Sequence, residues 1–107
     1  MNVEDIRDIC NAMPFVTEEI KWGNDLCFMI NKKMFCFIIL KTPIKVCFKI
    51  KDEEFNEILD LDGIEPAPYL GRFKWVAAEN LTLFNKNKWE YFIKQSYALI
   101  KKPEKWY

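Results

Sequence analysis

The chain has no histidine, and its single serine is Ser96. The commonest general base and the usual imidazole metal ligand are therefore missing, and a Ser-His-Asp arrangement is impossible. Its three glycines, Gly23, Gly63 and Gly71, lie too far apart for a phosphate-cradling loop or a dinucleotide fingerprint. The four cysteines, Cys10, Cys27, Cys36 and Cys47, form no Cys-x-x-Cys pair, so the usual zinc spacings are absent. Three of them sit inside apolar strand patterns, and all read as small buried hydrophobes of a reducing compartment. No apolar run approaches the ~18 residues of a membrane-spanning helix. The longest, Met34 to Leu40, suits a buried strand. Glu4, Asp5 and Asp8 give the N-terminus the wrong charge for a secretory leader, so a cytoplasmic location is expected. The adjacent carboxylates Glu18-Glu19 and Glu53-Glu54 diverge in direction and make poor acid–base pairs. With no recognised apparatus, the chain is expected not to be an enzyme and to need no cofactor or metal.

What is present is apolar and aromatic material. Half of the 107 residues are apolar and 16% are aromatic, enough for one domain, residues 1–107, with its own core. Net charge is zero, which argues against a strong non-specific polyanion binder. The charges are nevertheless segregated. Residues 26–51 carry six lysines and no acid, while residues 52–65 carry seven acids and no base. The lysine block is the one candidate footprint for nucleic acid. A solvated sheet face is the bland alternative, and a solvated helix is the bland reading of the acids.

Asn2 with Asp5 three residues later signals a helix start, and Val3, Ile6, Cys10 and Met13 follow at helical spacing, giving a helix over 3–13 that ends at Pro14. Residues 14–24 read as a loop with a tight bend at Trp22-Gly23. Strands are expected from Asp25 to Ile30, Met34 to Leu40 and Lys45 to Lys51, joined by short turns into an antiparallel meander. In the third, Val46, Phe48 and Ile50 face one side and Lys45, Cys47, Lys49 and Lys51 the other. Asp52 is expected to cap a helix over 53–61 that Asp62-Gly63 stops. Ile64 to Arg72, with Pro66 and Pro68, reads as a rigid loop. Phe73 to Ala77 has strand character, and Leu81 to Leu83 reads as a further strand or as the lead-in to a helix over 88–101 that Pro103 ends. The order α-β-β-β-α-β(β)-α predicts an α+β, two-layer α/β sandwich with its helices on one face of an antiparallel sheet. Trp75 and Trp89 are expected in the core, and Trp22 and Tyr69 in exposed loops.

Four fragments carry a resemblance: Lys21-Trp22-Gly23-Asn24-Asp25, Lys33-Met34-Phe35, Pro66 to Val76 with its Ala67-Pro68-Tyr69 loop, and Ser96-Tyr97. In this order and spacing the chain resembles the MmcQ/YjbR family of small bacterial proteins over nearly its whole length. The resemblance implies the same two-layer fold, similar to that of type III secretion chaperones. It also implies a non-enzymatic DNA-binding role through a "double-wing" arrangement. The chain departs from the family in its neutral charge, its lack of histidine and its unusually apolar second strand.

Two functions are in view. In the first, a DNA-binding protein uses a lysine-rich sheet face and an adjacent aromatic loop. Lys33, Lys45, Lys49, Lys51, Arg72 and Lys74 would meet phosphates, while Trp22 and Tyr69 stack on bases or sugars. Six such contacts predict a log–log salt slope of roughly −5. In the second, the chain is a protein-interaction module or homodimer that uses the apolar outer face of the sheet around Met34 to Leu40, flanked by Cys27, Met29 and Cys47. A lesser third option is a pocket between the Trp22 bend and the Pro66–Trp75 loop, where Tyr69, Lys33 and Lys49 converge on an anion.

Overall fold

Which residues pair across the sheet decides where each side chain can work. A computed structural model describes residues 1–101. Its elements are helix α1 (Val3–Asn11), strands β1 (Thr17–Lys21), β2 (Asp25–Ile30), β3 (Lys33–Ile39) and β4 (Lys45–Lys49), helix α2 (Asp52–Ile58), strands β5 (Ile64–Pro66) and β6 (Trp75–Ala78), and helix α3 (Lys86–Lys101). A single 3₁₀ turn, Gly71–Phe73, precedes β6. The strands form one antiparallel sheet in the order β1-β2-β3-β4-β6-β5.

The expected two-layer α+β sandwich is present, with its three helices on one face. Ile6, Ile9 and Cys10 of α1, Phe55 and Ile58 of α2, and Trp89, Phe92, Ile93 and Tyr97 of α3 share one core with Leu26, Phe28, Ile38, Val46, Phe48 and Val76 of the strands. Local chemistry sets the ends of the elements. The Asn2 side chain accepts from the Asp5 amide at 2.9 Å, and the Asp5 carboxylate accepts from the Asn2 amide at 2.9 Å, a reciprocal cap for α1. Asn31 and Lys32, at φ 52° and 66°, make the mirror-image two-residue turn that suits a β2–β3 hairpin. The helix forecast over 88–101 begins earlier, at Lys86, because the Asn85 side chain caps the Lys88 amide at 2.9 Å.

Several expectations need correction. The segment 14–24 is not all loop, since Thr17–Lys21 forms edge strand β1. Its Glu18, Glu19 and Lys21 hide the strand from a hydrophobic pattern, as charges on edge strands do. Ile64–Pro66 is likewise a strand rather than part of a loop, a three-residue edge that ends at a proline. Leu81 to Leu83 is turn leading into α3, not a strand. The strand read as Phe73 to Ala77 runs Trp75–Ala78, because Lys74 at φ 67° closes the 3₁₀ turn before it. Helix α2 ends at Ile58 rather than near 61, and Asp52 lies inside its first turn while Lys51 occupies the cap position without a side-chain bond. The stop assigned to Pro103 falls outside the described residues.

Ser96 explains how α3 is fastened to the sheet. Between the pairs Phe28↔Cys36 and Met29↔Met34, strand β3 carries one extra residue, Phe35. Its carbonyl accepts from the Ser96 hydroxyl at 2.5 Å, and the Ser96 hydroxyl oxygen in turn accepts from the Lys49 amide at 2.9 Å. The fully buried serine thus ties the bulge in β3 to the end of β4. Tyr97 then donates to the Pro14 carbonyl at 2.7 Å and meets the Phe35 ring edge-on at 5.3 Å.

Candidate functional site

The face of the sheet turned away from the helices is the unusual surface. Cross-strand partners share a face, so two rows can be read from the register. One runs Glu19, Cys27, Phe37, Cys47, Ala77, Glu65, and the other Lys21, Asp25, Ile39, Lys45. Small residues beside Phe37 let it lie against Trp75, with ring centroids 5.8 Å apart. Cys27, Phe37, Cys47, Ala67, Trp75 and Ala77 form a second buried cluster there. Its cover is the loop between β5 and β6, which supplies Ala67 and Leu70, with Ile100 of α3 also packed against it.

That loop is held tightly. The Ala67 amide bonds to the Trp75 carbonyl at 3.0 Å, and the Phe73 and Trp75 amides both bond to the Leu70 carbonyl at 2.9 and 3.3 Å. A Cβ on Gly71 would meet the Pro66 Cβ at 2.8 Å, so only glycine lets the loop fold back so closely.

Between this loop and the β1–β2 turn lies a groove of about 570 Å³, lined by Trp22, Asp25, Met34, Phe37, Ile39, Pro68, Tyr69 and Leu70. Trp22 is 69% exposed and Tyr69 97% exposed. Both stand in left-handed backbone, at φ 53° and 64°. Aromatic residues rarely adopt that conformation, and strain of this kind collects at functional sites. The Trp22 ring meets Phe37 edge-on at 6.2 Å and 78°. The groove's one carboxylate is Asp25, whose carboxyl sits above its usual range because burial disfavours the charge.

The structure separates the other residues singled out from sequence. Lys45 is half-buried and bonded to Glu65 at 2.7 Å. Lys49 donates its ammonium to the Phe73 carbonyl. The Lys74 ammonium lies 4.7 Å over the ring of Phe55, which belongs to the helix-side core. Lys51 follows β4 at the cap of α2, where its amide bonds to the Gln95 side chain at 3.1 Å. Arg72 covers the Phe73 ring at 4.8 Å, and Lys33 is exposed at the start of β3. These six cations do not make one continuous stripe. Neither Lys33 nor Lys49 lines the groove, so the converging cations of the anion-pocket option are absent from it.

Trp22 and Tyr69 do come together, with Met34, Phe37 and Ile39 on the floor. Sequence reading placed Asp25, Pro68 and Leu70 within the fragments that carry the resemblance, but singled out none of them as a lining residue of the pocket expected between the Trp22 bend and the Pro66–Trp75 loop. The cysteines are buried, with Cys27 pushed up to about 11, first by burial and then by Asp25, and Cys47 raised further by burial. Such thiols are poor nucleophiles. Among the described residues no His/Cys/Asp/Glu group could hold a metal ion, and no helix is long and apolar enough to cross a membrane.

A family model described as YjbR matches residues 11–99. The chain belongs to the YjbR family. No curated protein matches it significantly. Among solved structures it is similar to a Deinococcus radiodurans protein with a DUF419 domain, at 21% identity and TM-score 0.82 over 94% of this chain and 79% of the other. It is also similar to a structural-genomics target from Pseudomonas syringae, at 16% identity and TM-score 0.80 over 94% of this chain and all of the other. At such identities the likeness is one of fold. The Trp22 bend, Met34 and the Pro68–Leu70 stretch all fall inside the matched YjbR segment.

Proposed function

We propose that this YjbR protein is a non-catalytic binding module whose working surface is the groove on the outer face of the sheet. One observation carries the reading. Two exposed aromatic residues in strained left-handed backbone stand on opposite sides of a single apolar groove. Neither strain nor exposure helps folding, so the rings are held there for something that enters between them. The groove's volume, about 570 Å³, is that of a ligand cleft. This surface also coincides with the apolar sheet face expected to serve a protein contact.

The test is binding of the neutral dye N-phenyl-1-naphthylamine to the folded chain. Saturable fluorescence enhancement that is lost in Trp22→Ser and Tyr69→Ser, with circular dichroism unchanged, is the expected result. Enhancement that both variants retain would overturn the reading.

DNA binding is the second reading, favoured by the exposed rings of Trp22 and Tyr69 and by the exposed cations Lys33 and Arg72. Against it, Lys45, Lys49 and Lys74 already have partners within the fold. Fluorescence anisotropy with labelled single-stranded and duplex DNA at about 20 and about 200 mM salt separates the two. Micromolar binding that collapses with salt supports DNA, whereas no binding at low salt leaves the groove as the working surface.

A further inference from the structure

We infer that the groove takes a small organic cation, an alkylated ammonium group carried on an apolar body, with aromatic rings around the charge and Asp25 as its counter-ion. The inference rests on the reading of the groove as the binding surface and adds the chemistry of the ligand.

Three observations converge on it. The first is the set of rings. Trp22 and Phe37 stand nearly perpendicular, 6.2 Å apart at 78°, and make two walls of a corner. Phe37 is fixed from behind by Trp75 at 5.8 Å, and Tyr69 also lines the groove. A cation within about 6 Å of a ring face is drawn by its quadrupole, and groups of such rings are how proteins recognise quaternary ammonium.

The second is the state of Asp25. Its carboxylate makes no hydrogen bond or ion pair among the described residues, although Lys21 is its cross-strand partner. The Lys21 ammonium lies 3.3 Å from Glu19 instead, and Lys45, further along the same row, is taken by Glu65. Both cations in the cross-strand row of Asp25 are thus engaged elsewhere, and Lys49, two residues further along β4 on the same face, donates to the Phe73 carbonyl. A carboxylate left in an apolar wall is costly to desolvate until a positive charge reaches it.

The third is what the groove lacks. Met34, Ile39, Pro68 and Leu70 supply apolar surface, and one carboxylate is the whole of the charged lining. A primary ammonium brings three N–H donors and needs acceptors for each. An alkylated ammonium presents its charge through methyl groups and needs none. The lining therefore selects for alkylated nitrogen, and the volume leaves room for an apolar body beside it.

The test uses the full chain, isotope-labelled for amide NMR, titrated with benzyltrimethylammonium and separately with benzylamine. Saturable shifts at Trp22, Asp25, Phe37 and Tyr69 are expected, with benzylamine about tenfold weaker. Asp25→Asn, which keeps the shape and removes the charge, is expected to weaken benzyltrimethylammonium about tenfold. Tyr69→Leu, which keeps an apolar wall and removes the ring, is expected to weaken it by about two- to fivefold, the value of one exposed cation–π contact. Equal binding of the two amines, or an Asp25→Asn variant that binds as the parent does, overturns the inference. If the neutral dye binds in the groove and benzyltrimethylammonium does not, the cation is wrong and the binding surface stands. If neither binds, both readings fall.

Discussion

Replacing Tyr69 by glycine should make the protein more stable. At φ 64° the residue sits in left-handed backbone, and at 97% exposure its ring contributes almost no burial to the fold. Left-handed backbone costs a residue with a Cβ roughly 1–2 kcal/mol. Glycine removes that cost but brings roughly 0.5–1 kcal/mol of extra entropy to the unfolded chain. The difference leaves a net gain of about 0.5–1 kcal/mol for Tyr69→Gly. For a domain near this size that corresponds to a Tm higher by about 2–6 °C. Tyr69→Ala keeps the strained backbone and should leave Tm within about 1 °C of the parent, since surface changes of this sort are usually small. The assay is thermal unfolding followed by circular dichroism, repeated as a urea titration to check that the slope is unchanged. Both variants should lose dye binding and should weaken cation binding by at least about two- to fivefold. A clear fall in Tm for Tyr69→Gly would refute the reasoning, because it would mean that the ring or its backbone supports the fold rather than the groove.

Three other perturbations have signs fixed by the structure. Ser96→Ala leaves the Phe35 carbonyl and the Lys49 amide without their buried partner, and should cost about 1–3 kcal/mol in a urea titration; a neutral result would mean that the bulge is satisfied another way. Gly71→Ala drives a Cβ to 2.8 Å from the Pro66 ring, an overpacking expected to cost about 1–3 kcal/mol and to weaken dye binding by moving the Tyr69 loop; an unshifted Tm would refute it. Asp25→Asn tests the half-buried carboxyl through pH. Burial raises the folded-state pKa, so the proton is held more tightly in the folded chain. Stability from this group is full below the unfolded-state pKa and is lost as pH rises through the folded one. The asparagine variant should therefore be the more stable at pH 7, with the gap closing as pH falls past the ordinary aspartate range; a gap that widens in acid would refute the assignment.

The interior strands and the helices were legible because each presents a regular apolar period to a core. Val46, Phe48 and Ile50 alternate with Lys45 and Lys49, and the register places them on opposite faces as that alternation requires. The apolar run in β3 marked a strand buried on both sides, and the structure explains it, since Ile38 meets the helices and Phe37 meets Trp75. The edge strands were hidden for a physical reason. A strand with one neighbour and a wet flank carries charges and proline in place of an apolar period. Of the site, Trp22 and Tyr69 were legible because aromatic residues directly before a glycine or directly after a proline stand in loops. Asp25 was not, because nothing in a strand's first residue records that its cross-strand lysine turns to another acid. The partners of Lys45 and Lys49 were hidden for a related reason: spacing shows that side chains share a face, but not that each already has a partner there.

The fragments that carry the family resemblance divide by what they touch. Ser96-Tyr97 faces inward, and its bonds to Phe35, Lys49 and Pro14 hold α3 against the sheet and close the start of β1 over it. Lys33-Met34-Phe35 has both tasks at once, since the bulge sends Phe35 to the helices and leaves Met34 to the groove. Trp22-Gly23-Asn24-Asp25 and Pro68-Tyr69-Leu70-Gly71 contribute almost nothing to the main core. They are nonetheless held firmly, by two successive positive-φ residues at the turn and by the close approach of Gly71 to Pro66. A fold that needed these segments only as connections would use glycine or asparagine where Trp22 and Tyr69 stand. Large rings in strained backbone, anchored on rigid supports and left open to solvent, are preorganised surface, and preorganisation is useful only if something binds.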